Sequence, residues 1–131
     1  MAAEPYTSAA RLLQVVLNMS ANFINVDSID RLDSLFQESF DRPVVLLKHS
    51  TTCGISAGVF REVGQVTGDV NVVVIQTHRD LSNAIAVRTG IRHESPQAFV
   101  LRDGKPIYFA SHYDIEAGQI ERNLTDPDEK L

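Results

Sequence analysis

The 131-residue chain has one cysteine. A lone thiol cannot close a disulfide within its own chain. It can only pair with another molecule, which argues for a reducing compartment, the cytoplasm, and against a secreted disulfide-stapled scaffold. No second cysteine and no tightly spaced histidine pair accompanies it, so no metal site is expected. The chain also lacks any long run of Lys and Arg. Twelve basic residues against 17 acidic ones leave a formal charge of −5, and neither nucleic acid nor an anionic membrane surface is an expected partner. No apolar run is long enough to cross a bilayer. What is present is 44% hydrophobic residues, enough to build the core of one domain without staples.

The cysteine lies in His49-Ser50-Thr51-Thr52-Cys53-Gly54-Ile55-Ser56-Ala57. The hydrophobic run Val44-Val45-Leu46-Leu47 leads into this stretch. Ile55, Val59, Val63 and Val66 leave it at helical spacing. Cys53 is therefore expected where a strand ends and a helix begins. The first N–H groups of a helix lack internal partners and its dipole is positive there, which favours a thiolate over a thiol. A free thiol has a pKa of roughly 8.5, and helix N-termini lower it into or below the neutral range. A reactive cysteine is one reading. A buried structural cysteine is the other. The polar neighbours Ser50, Thr51 and Thr52 favour an exposed turn, and with it the first.

The rest of the chain reads as alternating strands and helices. Residues 1–20 form a candidate amphipathic helix, with Ala9, Leu12, Leu13, Val16 and Leu17 on one face. It is expected as an appended segment, with Met19 as an alternative start that would leave it out. Residues 21–124 are expected to form the domain, and 125–131 a polar tail. Within the domain, Phe23 to Val26 is a candidate edge strand. Asp27 or Ser28 can cap a helix bearing Ile29, Leu32, Leu35, Phe36 and Phe40. Pro43 closes that helix before the strand at 44–48. Val70 to Ile75 is a second buried strand. Asp80 can cap a helix over Leu81 to Thr89, with Gly90 as its stop. Asp103-Gly104 marks a hairpin between Ala98–Leu101 and Ile107–Phe109, and Pro106 assigns the latter strand to an edge. Asp114 can cap a last short helix. Two βαβ units imply parallel strands, with a ligand site at their carboxyl edge, where Cys53 falls.

Ser56 stands three residues after Cys53, where a Cys-x-x-Cys motif holds its resolving thiol. Serine cannot form the second disulfide, but its hydroxyl can donate to a thiolate. Such a site must hand an accepted thiol to an outside reductant. His49 is read as a strand-end residue that tunes the electrostatics. Lys48 is a candidate charge partner whose place in the strand alternation points it away. His93 and Glu94 are read as holding the loop before Ser95-Pro96.

The blocks His49-Ser50-Thr51-Thr52-Cys53-x-Ile55-Ser56-Ala57, Arg79-Asp80-Leu81-Ser82, Thr89, His93-Glu94-Ser95-Pro96-Gln97-Ala98-Phe99, Gly104 and Ser111-His112-x-Asp114-Ile115 resemble, in this order, the YtxJ-type monothiol bacilliredoxins. The similarity covers roughly residues 22–122. It implies an α/β thioredoxin-like fold, with a mixed central sheet flanked by helices. It also implies an oxidoreductase that removes bacillithiol, a small thiol replacing glutathione in many bacteria, from oxidised protein cysteines. Cys53 would be the nucleophile, and Thr52, Gly54, Ser56, Ser95 and Pro96 supporting or substrate-binding residues. Ser95-Pro96 would be the cis-proline turn of thioredoxin folds. No tightly bound cofactor is implied. Bacillithiol would be the co-substrate, and the partners bacillithiolated proteins and a redox reductase. One departure stands out. The family carries proline after the cysteine, and this chain has Gly54. A looser turn and an extra N–H toward the thiolate are both open consequences. Three rivals remain at this point: a thioredoxin-fold binding module with an inert Cys53, a peroxide-responsive sensor forming a sulfenic acid, and a homodimer bridged by Cys53.

Overall fold

The chain enters its sheet through a short edge strand and builds outward on both faces. The computed structural model describes residues 20–125. The helix expected over residues 1–20 lies outside them except for Ser20, and the tail expected at 125–131 except for Thr125. Five strands form one sheet: β1 (Ala21–Asn25), β2 (Val44–His49), β3 (Gly68–Val74), β4 (Gln97–Arg102) and β5 (Lys105–Ser111). Their order across the sheet is β1-β3-β2-β4-β5. β1, β3 and β2 run parallel, β4 is antiparallel to β2, and β5 is antiparallel to β4. Helices α1 (Ile29–Glu38) and α3 (Arg79–Thr89) cover one face, and α2 (Gly54–Val63) and α4 (Ala117–Leu124) the other.

The strand sequences explain this layering. In β2, Val45 and Leu47 join Val59, Val63 and Ile120 in one core cluster. Val44 and Leu46 join Leu32, Leu35, Phe36, Leu81 and Ile85 in the other. A strand packed on both faces has to be apolar on both, hence the unbroken run at 44–47.

Local chemistry sets several element ends. Ser28 takes the N-cap of α1 in extended conformation, and its Oγ accepts from the Arg31 N–H at 3.1 Å. Phe40 lies past the end of this helix, 59% exposed, with its ring against Gly104. The hairpin uses Asp103 and Gly104 with φ of 55° and 76°. Two successive positive φ values are the signature of the tight turn that matches strand twist. Ser39 pins that hairpin from below: its carbonyl accepts from the Asp103 N–H at 2.7 Å and its Oγ from the Gly104 N–H at 2.9 Å.

Two expected caps are corrected. His78, not Asp80, holds the N-cap position of α3; its carbonyl already accepts from the Ser82 N–H at 3.1 Å, so Asp80 falls inside the first turn. Asp114 belongs to a 3-10 turn, His112–Asp114, and Glu116 precedes α4. The first N–H of α4, on Ala117, donates to the Glu62 carboxylate of α2 at 2.9 Å. A partner from another helix replaces the local cap.

Candidate active site

The carboxyl edge of the parallel strands carries the cysteine turn. β2 ends at His49, Ser50 to Thr52 form the turn, and Cys53 takes the N-cap position of α2 in extended conformation (φ −102°, ψ 125°). The thiol is half-buried, between the exposed Thr52 and Gly54. It makes no formed capping bond of its own, as expected of a neutral thiol, which is a weak acceptor. A thiolate is a better one. The backbone N–H of Ser56 and then of Ile55 hold the Cys53 pKa below the ordinary thiol value; partial burial opposes them, and the Ser56 hydroxyl adds to the lowering. The Gly54 N–H is not among these donors.

Ser56 is fully buried. Its Oγ accepts from the Ser50 N–H at 3.3 Å, so the same hydroxyl has its proton to offer to the sulfur. Ser50 is itself held. Gln76, just past β3, donates through Nε2 to the Ser50 Oγ at 2.6 Å and to the Thr52 Oγ1 at 3.1 Å. Its Oε1 accepts from the Thr51 N–H at 3.2 Å. One amide therefore grips three successive residues of the turn. Sequence reasoning missed Gln76, because nothing local marks a residue that acts across 24 to 26 positions.

The second half of the site comes from the segment before β4. The Ser95-Pro96 bond is cis. Gln97 pairs with Lys48 across β2 and β4, so this dipeptide lies one step beyond that pair, beside the cysteine turn. The Pro96 carbonyl accepts from the His112 N–H at 2.9 Å. Ser95 makes no backbone–backbone bond among the described residues, and its Oγ is buried without a partner. Gln97, another residue that sequence reasoning left without a role, is buried. Its Nε2 donates to the Arg92 carbonyl at 3.1 Å and its Oε1 accepts from the Glu94 N–H at 3.4 Å, fixing the loop.

The nearby charged candidates act elsewhere. Lys48 is fully buried on the α1/α3 face of the sheet. Its Nζ lies 3.2 Å from the His93 Nδ1 and 5.9 Å from the Phe99 ring centroid. Burial lowers its pKa to about 8, and it is not among the groups that shift Cys53. His93 also meets the Ser82 Oγ at 3.0 Å, and the His112 Nδ1 lies 3.6 Å from the Glu94 carboxylate. The two loop residues thus do tie down the segment before Ser95. His49 packs its ring on Phe60 at 4.8 Å, and Phe60 stacks on Phe23 at 4.0 Å. Burial lowers the His49 pKa, so at neutral pH it brings no charge to the sulfur. Among the described residues no three His, Cys, Asp or Glu side chains gather to hold a metal ion. No helix among them is long and apolar enough to cross a membrane.

The sequence and the fold match known proteins. The family model described as Monothiol bacilliredoxin BrxC matches residues 24–120. A solved structure described as a candidate oxidoreductase with a thioredoxin fold is 32% identical with a TM-score of 0.70, covering 76% of this chain and 91% of that one. Thioredoxin from Trypanosoma brucei brucei superposes with a TM-score of 0.57 at 16% identity, covering 79% of this chain and 88% of its own. A mutant thioredoxin from Halobacterium salinarum NRC-1 gives 0.55 at 14% identity, with 82% and 89% covered. These last two share the fold alone.

Proposed function

Since the chain belongs to the monothiol bacilliredoxin family, we propose that it is a cytoplasmic oxidoreductase that removes bacillithiol from oxidised protein cysteines through a mixed disulfide on Cys53. The family and the thioredoxin-fold neighbours support a thiol redox function. The observation that carries the finer reading is the sulfur's setting: a half-exposed thiol at a helix N-terminus, drawn toward thiolate by Ser56 and Ile55, with a serine where a resolving cysteine would stand.

The Cys53 thiolate attacks the bacillithiol sulfur of a protein–bacillithiol disulfide. A Cys53–bacillithiol disulfide forms, the old disulfide breaks, and the protein cysteine leaves as a thiolate that takes a proton from water. With Ser56 in the fourth position, no internal thiol can displace the adduct. A second bacillithiol thiolate, or a cysteine of a partner reductase, attacks the bacillithiol sulfur on Cys53 and restores the thiolate. No electrons are lost: the disulfide passes to the small thiol or to the reductase. The free Ser95 backbone beside Pro96 offers the target's extended chain an edge to pair with. Thr52 and Gly54 leave the approach to the sulfur open.

Intact-mass spectrometry tests this. Reduced protein is mixed with a bacillithiolated substrate protein, with a glutathionylated one in parallel. The expected result is one bacillithiol gained by the wild type and lost by the substrate, with no transfer by Cys53→Ser. If neither small thiol moves while Cys53 stays reduced, the reading fails and the non-catalytic binding module takes its place. Rapid sulfenylation by peroxide without transfer would instead favour the sensor.

A further inference from the structure

The hydrogen bonds of the cysteine turn converge on one amide. The Gln76 amide donates to the Ser50 and Thr52 hydroxyls and accepts from the Thr51 N–H, at 2.6, 3.1 and 3.2 Å. Ser50, so held, points its N–H at the Ser56 Oγ, 3.3 Å away. With that oxygen occupied as an acceptor, the Ser56 proton is left for Cys53. Gln76 binds the Ser50 side chain and Ser56 binds the Ser50 N–H, so the coupling between them is positional, through the fixed conformation of Ser50. Gln76 is an exposed residue on the loop after β3. Nothing in the core needs a glutamine there. Yet both ends of its amide are spent on the turn that carries the thiol.

We propose that Gln76 is a positioning residue for the reaction: it fixes the Ser50–Thr52 turn so that the Ser56 hydroxyl is presented to the Cys53 sulfur. Its hydrogen bonds go to the turn and not to the sulfur, and it acts through Ser50. This rests on Cys53 being the reacting thiol, and it assigns the hold on the Ser56 hydroxyl, one contributor to that thiol's activation beside the Ser56 and Ile55 N–H groups, to a residue on a different strand–helix connection. Without the amide at position 76 the Ser50 and Thr52 hydroxyls would keep only their mutual 3.4 Å contact. The turn would then sample states in which Ser50 N–H no longer meets Ser56. The thiolate would lose part of its stabilisation by the protein, so less of it would form at low pH, and what forms would be somewhat more nucleophilic.

The test is the rate of Cys53 alkylation by iodoacetamide as a function of pH, in wild type, Gln76→Ala, Ser56→Ala and the double variant. Gln76→Ala should move the inflection of the rate–pH curve up by roughly half to one unit, which slows alkylation about two- to fourfold well below it once the greater nucleophilicity of the more basic thiolate is counted, and should reach a high-pH plateau no lower than the wild type's. In the Ser56→Ala background the Gln76 effect should disappear, because Gln76 acts on the sulfur through the placing of Ser56. A low-pH rate unchanged by Gln76→Ala, with a wild-type thiol that still titrates low, overturns the proposal alone. An equal loss in both backgrounds overturns it as well, since Gln76 would then act by another route. A loss of the same size at every pH would mean access or unfolding, not positioning. A wild-type titration at an ordinary thiol pKa would remove the thiolate reading, and this proposal with it.

Discussion

At position 56 one atom decides whether this site needs outside help. The Ser56 Oγ takes the Ser50 N–H and faces Cys53, so its side chain already occupies the place a resolving sulfur would use. Ser56→Cys should therefore turn a monothiol site into a dithiol one. In the proposed reaction with a bacillithiolated protein, the new thiol can displace the small thiol from Cys53 and close a disulfide with Cys53. The expected mass spectrum shows a protein lighter by two hydrogens, with the bacillithiol adduct reduced on the order of tenfold or more. Persistence of the adduct at wild-type levels would mean that residue 56 cannot reach the sulfur, against the geometry of the turn. The Cys53 environment was legible because its determinants are local: the Ser56 and Ile55 donors lie within three residues of the thiol. Lys48 and His49, equally close in sequence, contribute no charge, because strand alternation sends one to the opposite face and burial neutralises the other.

At the scale of the element, α2 begins at Gly54, its first helical residue, where the family has proline. Proline at this position has the helical φ built in and gives up an N–H that has no partner inside the helix. The residue before it must be extended, which Cys53 is, with φ −102° and ψ 125°. A Cβ built on Gly54 meets nothing within 4 Å. Gly54→Pro should accordingly raise unfolding free energy by about 0.5–1 kcal/mol, chiefly by restricting the unfolded chain. It should leave the Cys53 alkylation profile unchanged, since the donors to the sulfur are Ser56 and Ile55. A shifted profile would show that residue 54 sets the sulfur after all. Element ends divide the same way between local and distant causes. Ser28, Gly90 and Asp103-Gly104 announce themselves, because cap and turn chemistry act over two or three residues. The starts of α3 and α4 do not. The first orphan donor of α4 is satisfied by Glu62, 55 positions away, and no window of sequence around Asp114 contains that fact.

For the molecule as a whole, periodicity was enough to give the parallel core and its closing hairpin, but not the polar groups that cross the sheet. Lys48 shows why. Its strand is apolar on both sides, so an ammonium at 48 must enter the α1/α3 core, where it finds His93, 45 residues on, and the face of Phe99. Among the described residues no carboxylate forms an ion pair with it. Burial brings its pKa from 10.5 in an open chain to about 8 in the fold. The sign of the consequence follows from proton counting. Between these values the unfolded chain holds a proton that the folded one has released, so folding stability rises with pH across this window. Below it, both states are charged and the fold carries the full cost of the buried ammonium, on the order of 3 kcal/mol from the size of the shift. Lys48→Met keeps the length of the side chain and removes the charge. The variant should gain most over wild type at pH 7, and that advantage should shrink as pH rises from 8 toward 10.5, as wild-type Lys48 becomes neutral in both states. Urea unfolding of both proteins at pH 7 and pH 10 measures it. The difference between the two proteins cancels Tyr108, whose pKa burial raises, and every other group they share. Parallel stability curves would mean that Lys48 stays charged in the fold at pH 10, solvated by more than His93 and an aromatic face.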